Sequence, residues 1–206
     1  MTGISASQLV HEVAVQLDRY LAPIGFVLNR KSDRFYLRDQ ASCVVVELQK
    51  SSKSTASAPV IAANAGIWNA TLARTIGGPA SGQGINAMDC HWWLRAGQID
   101  DIGQGRWWTL GVTDDPQDVA ASEIWPSLSA PVALLVPLRD DASFLQYLLS
   151  AQGPFLDPMN RWAFALALAN ATGNRDAQAR ATDELKRIAE SRTLPIQHKM
   201  LLQSVD

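Results

Sequence analysis

Apolar residues recur at helical spacing through Leu9, Val10, Val13, Leu17, Tyr20 and Leu21, and Ser5 followed by Gln8 has the form of a capping box. The chain is therefore expected to open with an amphipathic helix that ends at Pro23-Ile24-Gly25. The period then changes to short β-like runs at Phe26–Arg30, Arg34–Asp39, Cys43–Lys50, Val60–Trp68, Cys90–Gly97 and Arg106–Leu110, separated by turn-formers. The first three are so closely joined that an antiparallel meander is the natural arrangement. Side chains alternate along strands, so Phe35, Leu37, Val44, Val46, Leu48, Ile61, Ala63, Ala65, Ile67, Trp92 and Leu94 share an apolar face that can pack against helices. The polar stretches 51–57 and 77–84 read as loops.

After Leu110 the helical period returns. Asp115-Pro116 places a capping acid before a proline suited to a first helical turn, and the apolar faces through Val119, Ile124, Leu128 and Val132 to Leu138 are interrupted at Pro126 and Pro131, which predicts kinked or consecutive helices. Asp140 or Asp141 caps a further helix through Phe144 and Leu149 that stops near Gly153-Pro154. Asp157-Pro158 opens another, and Gly173-Asn174 turns it into a last one from about Arg175 to Ser191. That pair resembles a tetratricopeptide-type hairpin, but without further copies it is a lone helical hairpin. The fold class is α+β: an N-terminal helix, a mainly antiparallel sheet of about five strands, and a C-terminal set of helices. The division is 1–112 for helix plus sheet and 113–206 for a helical portion packed on or extending the same domain.

Two tryptophan doublets stand out, His91-Trp92-Trp93-Leu94-Arg95 and Arg106-Trp107-Trp108, holding four of the seven tryptophans. A chain of 206 residues can bury roughly 70% of its unfolded surface without staples. Its 47% hydrophobic and 18% charged residues are those of a globular protein, and a net charge of −2 gives no general affinity for nucleic acid or anionic lipid. No signal-peptide pattern opens the chain and the Val132–Leu138 run is too short to span a bilayer, so the expected compartment is the cytoplasm. Cys43 and Cys90 read as small buried residues that could pair only if their strands adjoin.

The linear order of these parts resembles the bacterial family called domain of unknown function 4304. The resemblance runs from about Gln8 to Leu149. It is carried by Pro23-Ile24-Gly25-Phe26, Arg34-Phe35-Tyr36-Leu37-Arg38, Leu48-Gln49-Lys50-Ser51, Asn64-Ala65-Gly66, and above all His91-Trp92 with Trp107-Trp108. Trp93 stands where the family tends to place a second basic residue. The resemblance implies no activity.

Candidate chemistry lies on the face opposite the core, where parity collects Arg34, Tyr36, Arg38, Glu47, Gln49, Asn64, Trp68, His91, Trp93 and Arg95. Arginine, aromatic and amide groups together can hold a peptide, a carboxylate or a base by bidentate bonding and stacking, whereas the plainer reading is a solvated face with cross-strand pairs. Enzyme readings lack a constellation: Cys90 and His91 point to opposite faces, a Cys43–His91 dyad would need adjoining strands, and Asp89-Cys90-His91 lacks the spacing of a zinc site. No phosphate loop is present, so no cofactor or metal is expected. Asp100, Asp101, Asp114, Asp115 and Asp118 outnumber Arg106 around the second doublet; they repel nucleic acid and would attract a basic protein. The expected function is a non-enzymatic protein-binding module, such as an immunity protein neutralising a basic toxin domain. The candidate contact residues are Tyr36, Arg38, Asn64, Trp93, Arg95, Asp100, Asp101, Asp114 and Asp115. The alternative is an enzyme or small-ligand-binding domain that uses the polar, arginine-rich face.

Overall fold

The computed structural model describes residues 5–100, 104–111, 113–150 and 156–204. Helix α1 (Ala6–Leu21) is capped by Ser5, whose Oγ accepts from the Gln8 backbone N–H at 3.2 Å. The reciprocal half of the capping box is not made, because the Gln8 side chain turns instead to Glu12. A short 3₁₀ turn, Ala22–Ile24, brakes the helix at Pro23 and ends on Gly25 in the left-handed region, which delivers the chain to the sheet.

The sheet is antiparallel, in the order β1 (Val27–Asn29), β2 (Arg34–Arg38), β3 (Ser42–Lys50), β4 (Val60–Asn69), β5 (Trp92–Arg95), with β6 (Trp108–Thr109) also paired to β4. Among the described residues it has the expected path of five strands plus β6, which is only two residues long because just Trp108 and Thr109 reach Ile61 and Val60. The predicted parity is the one observed. Phe35, Leu37, Val44, Val46, Ile61, Ala63, Ala65, Ile67, Trp92 and Leu94 lie in one buried cluster with α1 and the later helices, and Leu48 packs at its rim.

The predicted breaks at Pro126 and Pro131 take a different form, since the segment Pro116–Arg139 winds on through both prolines. Asp115 Oδ1 accepts from the Gln117 N–H at 2.8 Å and caps α3 (Pro116–Asp118). A π-helical stretch, Val119–Ile124, widens the helix ahead of Pro126, so the Trp125 N–H reaches back five residues to the Ala120 carbonyl. In α4 (Trp125–Leu135) Pro131 has no N–H to give to the Ser127 carbonyl, which accepts instead from the Gly97 N–H at 3.0 Å just after β5. The proline thus frees a carbonyl that fastens the helix to the sheet. This segment is long and apolar enough, by length and composition, to cross a membrane, yet Val119, Ile124, Leu128, Val132 and Leu135 are buried in the common core.

Asp140 caps α5 (Asp141–Leu149) through the Ser143 N–H at 2.8 Å, and Asp157 caps α6 (Pro158–Thr172) through the Met159 N–H at 2.9 Å. Gly173, at φ 68°, reverses the chain, and Asn174 caps α7 (Arg175–Ser191). Helix α6 is buried on every side from Trp162 to Ala169, as an all-round apolar helix should be. It is surrounded by α5, α7, α2 (Ala70–Ile76) and α8 (Ile196–Gln203). The last two were not anticipated. A single hydrophobic cluster runs from Leu9 to Leu201 and takes in side chains of both the helix-plus-sheet portion and the helical portion.

Candidate functional site

The second face of the sheet is not open along its length. The segment from Gly77 to Cys90 folds over it, and Ile85, Ala87 and Cys90 join Tyr36, Cys43, Val45 and Trp68 in a separate small core. Two glycines allow this approach. A Cβ on Gly66 would strike the Ala87 carbonyl and the Cys90 side chain, and one on Gly82 would strike Cys43 and Trp68. The Trp68 indole N–H donates to the Pro79 carbonyl at 2.9 Å and pins the segment. Tyr36, expected as a contact residue, is consequently only 5% exposed and its hydroxyl donates to the Ile85 carbonyl at 3.3 Å. Arg38 stays exposed, its guanidinium 4.7 Å from the Tyr36 ring centre.

His91 anchors the far end of the same segment. Its Nδ1 accepts from the Asn69 backbone N–H at 3.2 Å, which leaves the proton on Nε2 to be donated to the Gly77 carbonyl at 3.2 Å. Burial lowers its pKa, against the opposing effect of the Gly77 carbonyl. Asn69 also donates to Asp141 at 2.7 Å, and Thr71 donates to the other oxygen of Asp141 at 2.8 Å, so the network ties β4 and α2 to α5. With both ring nitrogens committed to backbone groups, His91 serves as a clip and not as a base for Cys43. Burial raises both thiol pKa values, both cysteines are free, and no cluster of metal-ligating side chains occurs among the described residues.

Beyond the covering segment, strand register lines up Arg34, Glu47, Asn64 and Arg95 in one row across four strands. Arg34 pairs with Glu47 at 3.1 Å, although burial outweighs the arginine and pushes the Glu47 carboxyl up. Asn64 is fully buried, a second departure from its expected role at the surface: its Oδ1 accepts from Arg95 Nε at 3.2 Å and its Nδ2 donates to Gln49 at 3.0 Å. Arg95 also donates to Gln49 Oε1 at 3.3 Å, and the described residues give it no carboxylate partner. Its guanidinium lies 4.5 Å from the ring centre of Trp107 and 5.8 Å from that of Trp93. Burial draws its pKa down from the usual value. The backbone of Gly105 presses on the arginine stem so closely that any Cβ there would overlap it.

This group of Arg95, Trp93, Trp107, Asn64 and Gln49 is the most distinctive polar arrangement near the surface. Trp93 and Arg95 are half-buried, while Trp107 is 42% exposed. Parity could find Trp93, Arg95, Asn64 and Gln49. It could not find Trp107, which precedes a two-residue strand and reaches Arg95 only through the turn at Gly105.

The acidic residues are dispersed in role. Asp100 is exposed; Asp101 lies outside the described residues. Asp114 accepts from the Gly111 N–H at 2.7 Å in a tight turn, and Asp115 is the helix cap already described. Both carry local structure as well as charge. Comparison of the chain with protein-family models, with curated proteins and with solved structures found no match.

Proposed function

We propose that this chain is a non-enzymatic protein-binding module that receives a basic partner at the Trp107–Arg95 patch, as an immunity protein neutralising a cytoplasmic toxin domain would. The observation that carries this reading is the 42% exposed Trp107 ring laid 4.5 Å from the Arg95 guanidinium. A large aromatic surface held in place by its neighbours loses little freedom on binding, and tryptophan and arginine are the residue types that most often dominate interface energetics. Asp100, Asp114 and Asp115 supply negative charge nearby in the chain, which would steer a basic surface toward the patch.

The test is affinity capture with the wild-type chain and with Trp107→Ala as parallel baits. A basic protein retained by the first, lost by the second and released by moderate salt supports the reading. Equal retention by both baits removes Trp107 from the interface and overturns it.

A second reading rests on Arg95 itself. A half-buried guanidinium held by two amide oxygens, with no carboxylate partner among the described residues, suits a small carboxylate ligand stacked against Trp107. Titration with simple carboxylates while monitoring tryptophan emission tests it. Saturable quenching that Arg95→Lys weakens would favour this alternative.

A further inference from the structure

The opposite edge of the sheet carries a different surface. Strand β1 ends the strand order and among the described residues pairs only with β2, which places no other described strand beside its outer backbone groups. Val27 on this edge is 69% exposed and neighbouring Ile24 is 40% exposed, both large apolar side chains turned to water. Alongside β1 and β2 lies a trough of about 400 Å³ lined by Gly25, Val27, Leu28, Asn29, Tyr36 and Arg38. The Tyr36 ring in this lining is almost wholly buried, and the exposed Arg38 guanidinium lies 4.7 Å from its centre.

The charge around the trough has one sign to spare. Arg30, Lys31 and Arg38 are exposed along the hairpin, and none of them has an ion-pair partner among the described residues. The nearby acids are engaged: Asp33 holds His11 at 2.6 Å, and Asp39 accepts from Ala41 and Ser42 N–H groups at 2.9 Å to close the β2–β3 turn. Cations on an edge strand are also the ordinary guard against edge-to-edge aggregation. A guard alone, however, does not call for a trough lined by a largely exposed valine.

We propose that the β1 edge binds an extended acidic segment of a partner protein, added to the sheet as a further strand. Main-chain bonds to β1 would supply the pairing, an apolar side chain of the segment would sit against the exposed Val27, and its carboxylates would meet Arg38 and Arg30. This surface lies at the other end of the strand order from Arg95 and does not depend on the Trp107 patch.

The experiment selects a random twelve-residue display library on the immobilised full chain, then measures the enriched peptides by fluorescence anisotropy. Enrichment of sequences that alternate acidic and apolar residues is expected, with affinity falling at least tenfold for Arg38→Ala and further at raised salt. Val27→Pro puts a residue without an N–H into the edge strand and should abolish binding. Because that variant could perturb the hairpin, the decisive control leaves the protein intact: methylating alternate backbone nitrogens of the best peptide must cost at least tenfold if a strand is added. Several outcomes overturn the proposal. They are failure to enrich, enrichment of basic peptides, an unchanged affinity after backbone methylation, or self-association through this edge that Val27→Pro disperses without any peptide binding.

Discussion

Adjacent indoles at Trp92 and Trp93 face opposite sides of the sheet, and the difference sets what each can tolerate. Trp92 is 2% exposed and stacks on Phe144 and Tyr147, with ring centres 6.3 and 5.3 Å away, while its indole N–H finds no partner among the described residues. Its truncation to alanine opens a cavity among helix side chains and is expected to cost about 3–5 kcal/mol. Trp93→Ala should cost less than half as much; equal losses of Tm in the two variants would contradict the assignment of faces. Gly105 presents the inverse problem. Gly105→Ala drives a methyl group into the Arg95 stem, so a loss of about 1–3 kcal/mol is expected, together with a shift in tryptophan emission as Trp107 separates from the guanidinium.

At the level of elements, the strands and most helices were legible because parity and caps are local signals. Ser5, Asp115, Asp140, Asp157 and Asn174 each accept the backbone bond that their position predicts. Two helices escaped notice for want of length. Helix α2 has seven residues, and its signals, the Asn69 cap and the stop at Gly77, lie against the end of a ten-residue strand that reads straight into it. Helix α8 follows Pro195, with no side-chain cap to announce it. The prolines predicted kinked or consecutive helices, and consecutive helical stretches are what the segment forms: the π-helical stretch ends just before Pro126, while Pro131 stays within α4 because the carbonyl it leaves free is redirected to Gly97. The His91 clip makes a pH prediction. Burial lowers the folded-state pKa of His91, and likewise of His198, so the unfolded chain takes up protons first as pH falls. The associated stability is complete above the ordinary histidine value of about 6.5 and declines as pH drops through the lowered folded values. Thermal melts between about pH 7 and about pH 5.5, the range in which histidine dominates, should show a falling Tm whose slope lessens in His91→Gln. An unchanged slope would assign the effect elsewhere.

For the whole molecule, the distribution of charge could be read from the sequence, but the closure of the polar face could not. Nothing in the composition of residues 77–84 indicates that they pack on Tyr36 and Trp68, because the contact depends on the two missing side chains at Gly66 and Gly82. Parity therefore puts Tyr36 and Asn64 at the surface, whereas the structure has them in the interior; Trp93 and Arg95, from the same face, are half-buried. Replacing Asp100, Asp114 and Asp115 by asparagine keeps an acceptor in the Gly111 turn and at the α3 cap, so the fold should persist. With a basic partner in hand, association measured by stopped flow should slow and lose most of its salt dependence. The covering segment has one more effect on the molecule. Its apolar side chains lie outside the main hydrophobic cluster, in a small core that α2 touches through Ala70 and Ala73, and a few bonds hold its ends. A cooperative opening that peels residues 77–90 from the strands while the main core stays shut is thus the lowest-energy excursion expected of this fold. Amide hydrogen exchange would reveal it as two populations on a single sheet: residues 85–90, with the ring environments of Tyr36 and Trp68, reporting a shallow free energy, and the β3–β4 amides reporting the global one.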